Sequence, residues 1–345
     1  MYYNWKHSIN TDELQNVSKL IKNGEVIVFP TETVYGIGAN ALDTEAVRKI
    51  FLAKGRPSDN PLIVHVADKK DIEQIAVIQT AVEQKLIDVF MPGPITIILK
   101  KKPIIPNIVS AGLDTVGIRM PSNEIAQKII KTSQVPIAAP SANISGRPSG
   151  TKITDIREEL ESRVSAIVDG GNSNIGLEST VVKVIDDVPV ILRPGKVTPE
   201  QIENVIGKVR IDSKVFEKLL EDEKPESPGV KYRHYAPKTK CKLIYSKDEE
   251  KQIEMINNLI KENDKIVVLC FEEHKNKILL EDNNLISIGY KSNEETIARN
   301  IYSALREADN RGANLILIEG VEKNGIGIAI MNRLLRTCEY DYLEG

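Results

Sequence analysis

Cysteine is scarce in this chain of 345 residues: Cys241, Cys270 and Cys338 stand far apart, all in the second half, with no C-x-x-C spacing. The pattern supports neither a zinc site nor a disulfide framework and suits three reduced thiols in a cytoplasmic protein. No apolar run approaches the length of a membrane span, and the opening residues MYYNWKHSINTDEL lack the apolar core of a signal peptide. Positive charge is not in excess. Lys and Arg number 46 against 49 Asp and Glu, a formal net charge of -3, so the molecule as a whole is no basic coat for nucleic acid. An anion site must be a local concentration of cations. There is no internal repeat and no low-complexity tract. What is present is ordinary for a globular protein, 41% hydrophobic and 28% charged, in a length that suits two domains.

Helix and strand patterns alternate through the first part. Asn10 can cap a helix with Glu13 completing a capping box, and Leu14, Val17, Leu20 and Ile21 form its apolar stripe. A buried strand follows Gly24 at Glu25–Phe29, and a second helix spans Thr44 to Ala53. Strand patterns recur at Leu62–Val66, Ile95–Lys100, Thr115–Met120, Ile137–Ala139, Ala166–Asp169, Ser179–Ile185 and Val190–Leu192. Helices are expected near Asp71–Ala76, Ala81–Phe90, Asn123–Ser133, Asp155–Ser162 and Pro199–Ile206. Some strands lie too close together for helical crossovers, which points to a mixed sheet. The acidic stretch Glu217–Glu226 reads as a solvated helix end and linker. After Pro237 a smaller series begins, with strands at Lys242–Tyr245, Lys265–Cys270, Ile286–Ile288 and Asn314–Ile318. Helices at Asp248–Lys261, Ser292–Asp309 and Ile326–Leu335 make it a plausible doubly wound α/β domain.

Polar residues gather at the strand ends, where open α/β sheets place ligands. Pro30–Asn40 (PTETVYGIGAN) follows a buried strand, and Thr31, Thr33 and Tyr35 offer hydroxyls. Its glycines are not a dinucleotide fingerprint. Lys54-Gly55-Arg56-Pro57 ends a helix: the two cations either complement the helix dipole or clamp a phosphate. Asn60 and His65 follow. Arg119 lies in the strand pattern GIRMP, where a buried guanidinium needs an anion, either a substrate carboxylate or a structural Asp or Glu. Pro140–Thr151 (PSANISGRPSGT) is rich in hydroxyls but lacks a P-loop ending, and Ser179-Thr180 and Arg193-Pro-Gly195 mark two more strand ends. Between the two halves Ser227–Pro237 (SPGVKYRHYAP) carries two cations, two tyrosines and a histidine between breaker residues, more than a tether requires.

The set PTETVYGIGANA, KGRP, GIRMP, PSANISG, STVV, RPG and SPGVKYRHYAP resembles the threonylcarbamoyl-AMP synthase family in its two-domain form. The resemblance implies a YrdC-like catalytic domain over residues 1–210, with a twisted mixed open sheet and flanking helices. An interdomain linker or lid over 211–240 and a small Rossmann-like α/β domain over 241–345 would follow. It implies formation of L-threonylcarbamoyladenylate and pyrophosphate from L-threonine, bicarbonate or CO2, and ATP, for modification of the tRNA adenosine next to the anticodon. Carried over onto this sequence, Thr33, His65, Arg119, Ala139 and Ser179 would hold threonine, Arg119 on its carboxylate. Lys54, Arg56, Asn60, Thr115, Ser141, Asn143, Ser149 and Arg193 would hold ATP, with Lys54 and Arg56 the catalytic pair. Tyr232, His234 and Tyr235 would close over the nucleotide. Mg2+ would come with ATP, without a carboxylate cage of its own, and contact with tRNA or tRNA-modification proteins is possible. The carbamate is already an anionic nucleophile, which accords with the absence of any Ser-His-Asp or Cys-His set. Two rivals are a module binding double-stranded RNA through phosphate contacts and a hydrogenase-maturation carbamoyltransferase. The second would need zinc-finger cysteine pairs that this chain lacks.

Overall fold

The computed structural model describes residues 1–217 and 235–345. These form two compact units: Met1–Ser145, Ser149–Asn174 and the stretch from Glu178 make the first, and Gly146–Pro148, Ile175–Leu177 and the stretch ending at Gly345 make the second.

In the first unit the chain runs β1 (Tyr2–Asn4), α1 (Thr11–Lys22), β2 (Ile27–Phe29), β3 (Gly36–Asn40), α2 (Thr44–Lys54), β4 (Ile63–His65), α3 (Lys69–Ile75), β5 (Ala76–Val77), α4 (Ala81–Phe90), β6 (Ile95–Lys101) and α5 (Asn107–Ser110). It continues through β7 (Thr115–Arg119), α6 (Glu124–Ser133), β8 (Ile137–Ala138), α7 (Ile153–Leu160), β9 (Ala166–Asp169), β10 (Thr180–Ile185), β11 (Val188–Arg193), α8 (Pro199–Ile206) and β12 (Arg210–Ile211). Local chemistry sets the helix ends. Asp43 caps α2 and Gly55 closes it in the left-handed region at φ 60°, while α4 and α8 start on capping boxes, Thr80 with Glu83 and Thr198 with Gln201. Asn10 caps α1 as expected, accepting from the N–H groups of Asp12 and Glu13. Glu13 does not complete the box: its carboxylate accepts the indole N–H of Trp5 at 2.5 Å. A buried indole donor outbids a solvated backbone N–H for that carboxylate.

The strands form one mixed sheet in the order β1-β9-β2-β3-β8-β4-β7-β6-β10-β11-β12, with β5 on β6. Strand β3 falls where the sequence suggests a glycine-containing loop. Its glycines are there for space. A Cβ on Gly38 would lie 2.7 Å from Ile137 Cγ2 and 2.8 Å from Phe29 Cε1. The neighbouring strands' large side chains fill the room that β3 leaves, so a strand of low intrinsic propensity is held by its surroundings. Among the described residues, two apolar clusters back the sheet. The larger includes Val64, Ile97, Leu99, Val116 and Ile118; the second, around Trp5 and Phe29, packs α1 and α6.

The second unit contains β13 (Lys240–Tyr245), α9 (Glu249–Glu262), β14 (Ile266–Phe271), β15 (Leu285–Gly289), α10 (Glu294–Asn310), β16 (Leu315–Glu319), α11 (Gly327–Thr337) and β17 (Tyr342–Glu344). Its sheet is parallel throughout, in the order β15-β14-β16-β13-β17, the doubly wound architecture expected from the sequence. The buried carboxylate of Glu319 ends β16, accepting from the Phe271 N–H at 2.7 Å, from Gln252, and pairing with His274 Nδ1 at 2.7 Å.

The packing at β3 gives a stability test. Gly38→Val should destabilise the first unit by about 1–3 kcal/mol through overpacking against Phe29 and Ile137. A calorimetric midpoint equal to wild type would show that the sheet opens there without cost.

Candidate active site

Strand alternation builds the floor of the site. On β7, Val116 and Ile118 enter the large core, so Thr115, Gly117 and Arg119 share the opposite face. The register pairs Ile63 with Gly117 and His65 with Arg119 on one side, and Ile98 with Gly117 on the other. Ile63, His65, Thr96 and Ile98 therefore lie on the same face as Arg119, and none of them belongs to the two apolar clusters. Gly117 keeps the middle of this face low: a Cβ there would sit 3.0 Å from the Thr96 methyl and 3.3 Å from Ile98 Cδ1. Thr115 and Arg119 mark its two ends, about 13 Å apart along an extended strand.

At the Arg119 end, buried charges and hydroxyls meet. Arg119 Nη2 donates to Glu32 Oε1 at 2.7 Å, and both side chains are buried. Glu32 stands between Thr31 and Thr33, whose hydroxyls are 2.9 Å apart; Thr31 also accepts the Thr33 N–H and donates to the Val34 carbonyl. This fixes the loop after β2. His65 is buried, edge-on to Phe29, and its pKa is pushed down to about 3 by burial and by the nearby Arg119 cation. It is therefore a neutral imidazole at physiological pH. Ser179 Oγ pairs with Thr96 Oγ1 at 2.8 Å, and Arg193 donates to both the Ser179 carbonyl and its hydroxyl. Among the described residues, Arg119 Nε, Glu32 Oε2 and His65 Nδ1 are buried polar atoms with no partner. Buried polar atoms are nearly always hydrogen-bonded, so a cluster of exceptions marks a place prepared for a ligand.

At the other end lie the residues around the α2 terminus. Lys54 is 2% exposed, and its Nζ donates to the Ser141 carbonyl at 2.5 Å, the Asn143 carbonyl at 2.7 Å and Asn143 Oδ1 at 3.5 Å. Burial, then the neighbouring Arg56, pushes its pKa well down, against the pull of Glu159 and Glu178. The Ser145 N–H returns the contact to the Lys54 carbonyl at 2.9 Å. Expected as a phosphate clamp, Lys54 instead directs its N–H groups here to the loop from Ser141 to Ser145. Arg56 Nη2 donates to the Asn60 and Pro61 carbonyls at 3.3 and 3.1 Å. The Asn60 amide is fully buried, with Oδ1 and Nδ2 both lacking partners among the described residues. Ser141 Oγ donates to Asn143 Oδ1 at 2.6 Å, and Ser149 Oγ to Glu178 at 2.5 Å. The Ala139 N–H is committed to the Ile63 carbonyl at 2.9 Å, so any backbone offer from Ala139 comes from its carbonyl.

Two further tyrosines have partners within the protein. The Tyr35 hydroxyl, read as a ligand group, donates to the Gly171 carbonyl and accepts the Gly170 N–H, locking β3 against the end of β9. Tyr235, read as closing over the nucleotide, is buried in the second unit. Its ring stacks on Tyr302 at 5.4 Å with the Arg333 guanidinium over it, and its carbonyl accepts from Thr337. Tyr232 and His234 lie outside the described residues, as does most of Ser227–Pro237. Glu32 and Glu178 were missed by the sequence reading. A buried arginine calls for an anion, but nothing in the sequence says which carboxylate reaches it.

This chain is similar over nearly its whole length to known proteins. A family model described as "Telomere recombination" matches residues 19–195, and one described as "Threonylcarbamoyl-AMP synthase, C-terminal domain" matches residues 197–338. The threonylcarbamoyl-AMP synthase of Pyrococcus abyssi is 42% identical over 99% of this chain and 98% of its own length. That of Bacillus subtilis is 44% identical over 96% and 94%. The crystal structure of Pyrococcus abyssi Sua5 complexed with L-threonine superposes with a TM-score of 0.92 at 40% identity, covering 100% of this chain and 99% of that one. An α/β chain of two units, similar over nearly its whole length to these enzymes, belongs to the threonylcarbamoyl-AMP synthase family.

Proposed function

We propose that the groove on the first unit forms L-threonylcarbamoyladenylate and pyrophosphate from L-threonine, bicarbonate or CO2, and ATP. The observation that carries this reading is the unpartnered buried set Arg119 Nε, His65 Nδ1 and Asn60 on one groove. Threonine fits the Arg119 end, its carboxylate on the guanidinium and its hydroxyl within the reach of neutral His65, Thr33 and Ser179. The Ala139 carbonyl lies beside β4. ATP fits the remainder, with Arg56, Asn60, Thr115, Ser141, Asn143, Ser149 and Arg193 toward it. Arg56 is the cation of the pair at the end of α2, and Lys54 acts through the loop it holds.

The chemistry asks the protein for placement and charge. The carbamate of threonine attacks the α-phosphorus of ATP and pyrophosphate leaves, so no side-chain nucleophile is needed. Mg2+ travels with ATP and supplies charge neutralisation on the phosphates. The Asn60 amide oxygen and the hydroxyls of Ser141 and Ser149 are neutral donors that suit a metal held by phosphate and water. Residue Glu178 is engaged by Ser149. The product would serve tRNA modification in the cytoplasm, a setting consistent with three buried free thiols. The protein's direct partners in that setting would be tRNA or tRNA-modification proteins.

Incubation with threonine, bicarbonate, Mg2+ and ATP should release pyrophosphate only when threonine is present. Its absence, alongside tight binding of double-stranded RNA, would favour an RNA-binding module instead. Arg56→Ala should raise the KM for ATP while threonine affinity stays near wild type. Lys54→Ala should behave differently. It removes the Lys54 donor from the Asn143 carbonyl, while the Ser141 carbonyl and Asn143 Oδ1 keep the Asn143 N–H and the Ser141 hydroxyl, for a cost of about 1–3 kcal/mol. The melting temperature should therefore fall and both substrates bind less well; an effect on ATP alone would restore Lys54 as a phosphate ligand. His65 gives a pH test. Its folded pKa lies below the ordinary 6.5, so the stability it contributes is present above about 6.5 and is lost as pH falls toward about 3. Melts at pH 7 and pH 4.5 should show a smaller acid penalty in His65→Gln than in wild type.

A further inference from the structure

We infer that Glu32 is the group that takes the proton from the substrate's ammonium, and that with Arg119 it forms a charge-balanced receptor for a zwitterionic amino acid. This inference rests on the reading of the groove as a threonine site.

The pair is placed for it. Glu32 is 8% exposed, one carboxylate oxygen lies 2.7 Å from Arg119 Nη2, and the other, Oε2, is buried with no partner among the described residues. Arg119 Nε is unpartnered in the same way. The ion pair is therefore complete as a neutral unit but keeps one negative and one positive hydrogen-bonding atom uncommitted. A ligand that presents a carboxylate and an ammonium on one carbon matches both. The charge count favours it. A bare carboxylate on Arg119 would leave the buried pair with a net negative charge, which is costly away from water. A zwitterion leaves the total at zero.

Acylation then requires that ammonium to lose its proton, because only the free amine has a lone pair. Arg119 from β7 is the charged side chain that pairs with Glu32, and His65 on β4 stands next to Arg119 in the sheet register. Arg119 has no basic lone pair to offer. His65 is buried beside that cation, which disfavours its protonated form. Thr31 and Thr33 present hydroxyls only. Glu32 remains as the acceptor. The overall step is balanced: threonine ammonium and bicarbonate give the N-carboxylate, one water and one proton. Glu32 Oε2 takes a proton from nitrogen, and the freed pair forms the N–C bond to CO2 as a C=O pair moves to oxygen. The second nitrogen proton goes to the hydroxide that bicarbonate released with CO2, making the water. Glu32 returns its proton to solvent after the product leaves.

The test combines rate and binding. In Glu32→Gln, kcat at neutral pH should fall by about 100-fold or more, in the range of a lost general base. The remaining rate should climb tenfold per pH unit until it meets the titration of threonine's own ammonium, whereas wild type is flat over the same interval. Glu32→Asp should keep the wild-type profile with a smaller loss. Calorimetry supplies a readout independent of turnover. The preference for threonine over 3-hydroxybutyrate, which keeps the carboxylate and hydroxyl but lacks the ammonium, should shrink by tenfold or more in Glu32→Gln. A melt confirms that the variant is folded. An unchanged pH profile together with an unchanged ligand preference, in an active wild type, overturns the role of Glu32 alone. Failure of wild type to bind threonine or release pyrophosphate overturns the functional reading, and this inference with it.

Discussion

A buried lysine amine organises the loop beyond β8. Lys54 ends α2 and points inward, and its three N–H groups take the carbonyls and amide oxygen of Ser141 and Asn143. A lysine in such a place loses its hydration and keeps it from no solvent source, so the main-chain dipoles must replace the water. That requirement fixes the loop relative to the helix. The loop's other side is sewn to β3, where the Ala142 N–H meets the Tyr35 carbonyl at 2.7 Å and the Ile37 N–H meets the Pro140 carbonyl at 3.0 Å. Two sequence motifs far apart in the chain thus become one rigid wall. Arg56 and Asn60 leave the same helix end and inherit its position.

The Arg119 end depends on a second buried charge, handled in another way. Arg119 is answered by a carboxylate rather than by carbonyls, and the pair stays open at one atom on each side. Ion pairs of this kind add little to stability compared with apolar packing of the same volume. Their value lies in selection, because a partner of the wrong charge pattern leaves one of them exposed in a place without water. Neutral His65 beside them contributes hydrogen-bonding capacity without adding to the positive charge.

Much of this was legible in the sequence, and the exceptions share a cause. Periodicity located α4, α8 and β9 to the residue, because long apolar patterns and capping residues are local signals. Strand β7 was located in the same way, by the strand pattern over Thr115–Met120. Strand β3 was not, because glycine carries a turn signal and the reason for it, the bulk of Phe29 and Ile137, comes from other strands. Lys54 beside Arg56 reads as a matched pair of phosphate cations; only the tertiary fold shows that one points into the protein. Tyr235 belongs to a motif whose composition suggests a lid, yet stacking on Tyr302 is decided sixty-odd residues away by α10. Composition told which residues were unusual, and the fold decided what each of them touches.

The low floor at Gly117 bears on how stability should be read for this protein. One face of β4, β7 and β6 carries a full apolar core, while the other carries His65, Arg119, Thr96 and a glycine where a side chain would otherwise pack. The side chains on that face are nonetheless buried, His65 at 3%, Thr96 at 0% and Arg119 at 4% exposed, so polar groups stand there where an apolar layer would otherwise pack. Ligand that binds only the folded state adds stability in proportion to the logarithm of its concentration over its dissociation constant. Substrates that bind only the folded enzyme would therefore make it firmer than the empty chain, with metabolite supply as one of the terms that keep it folded.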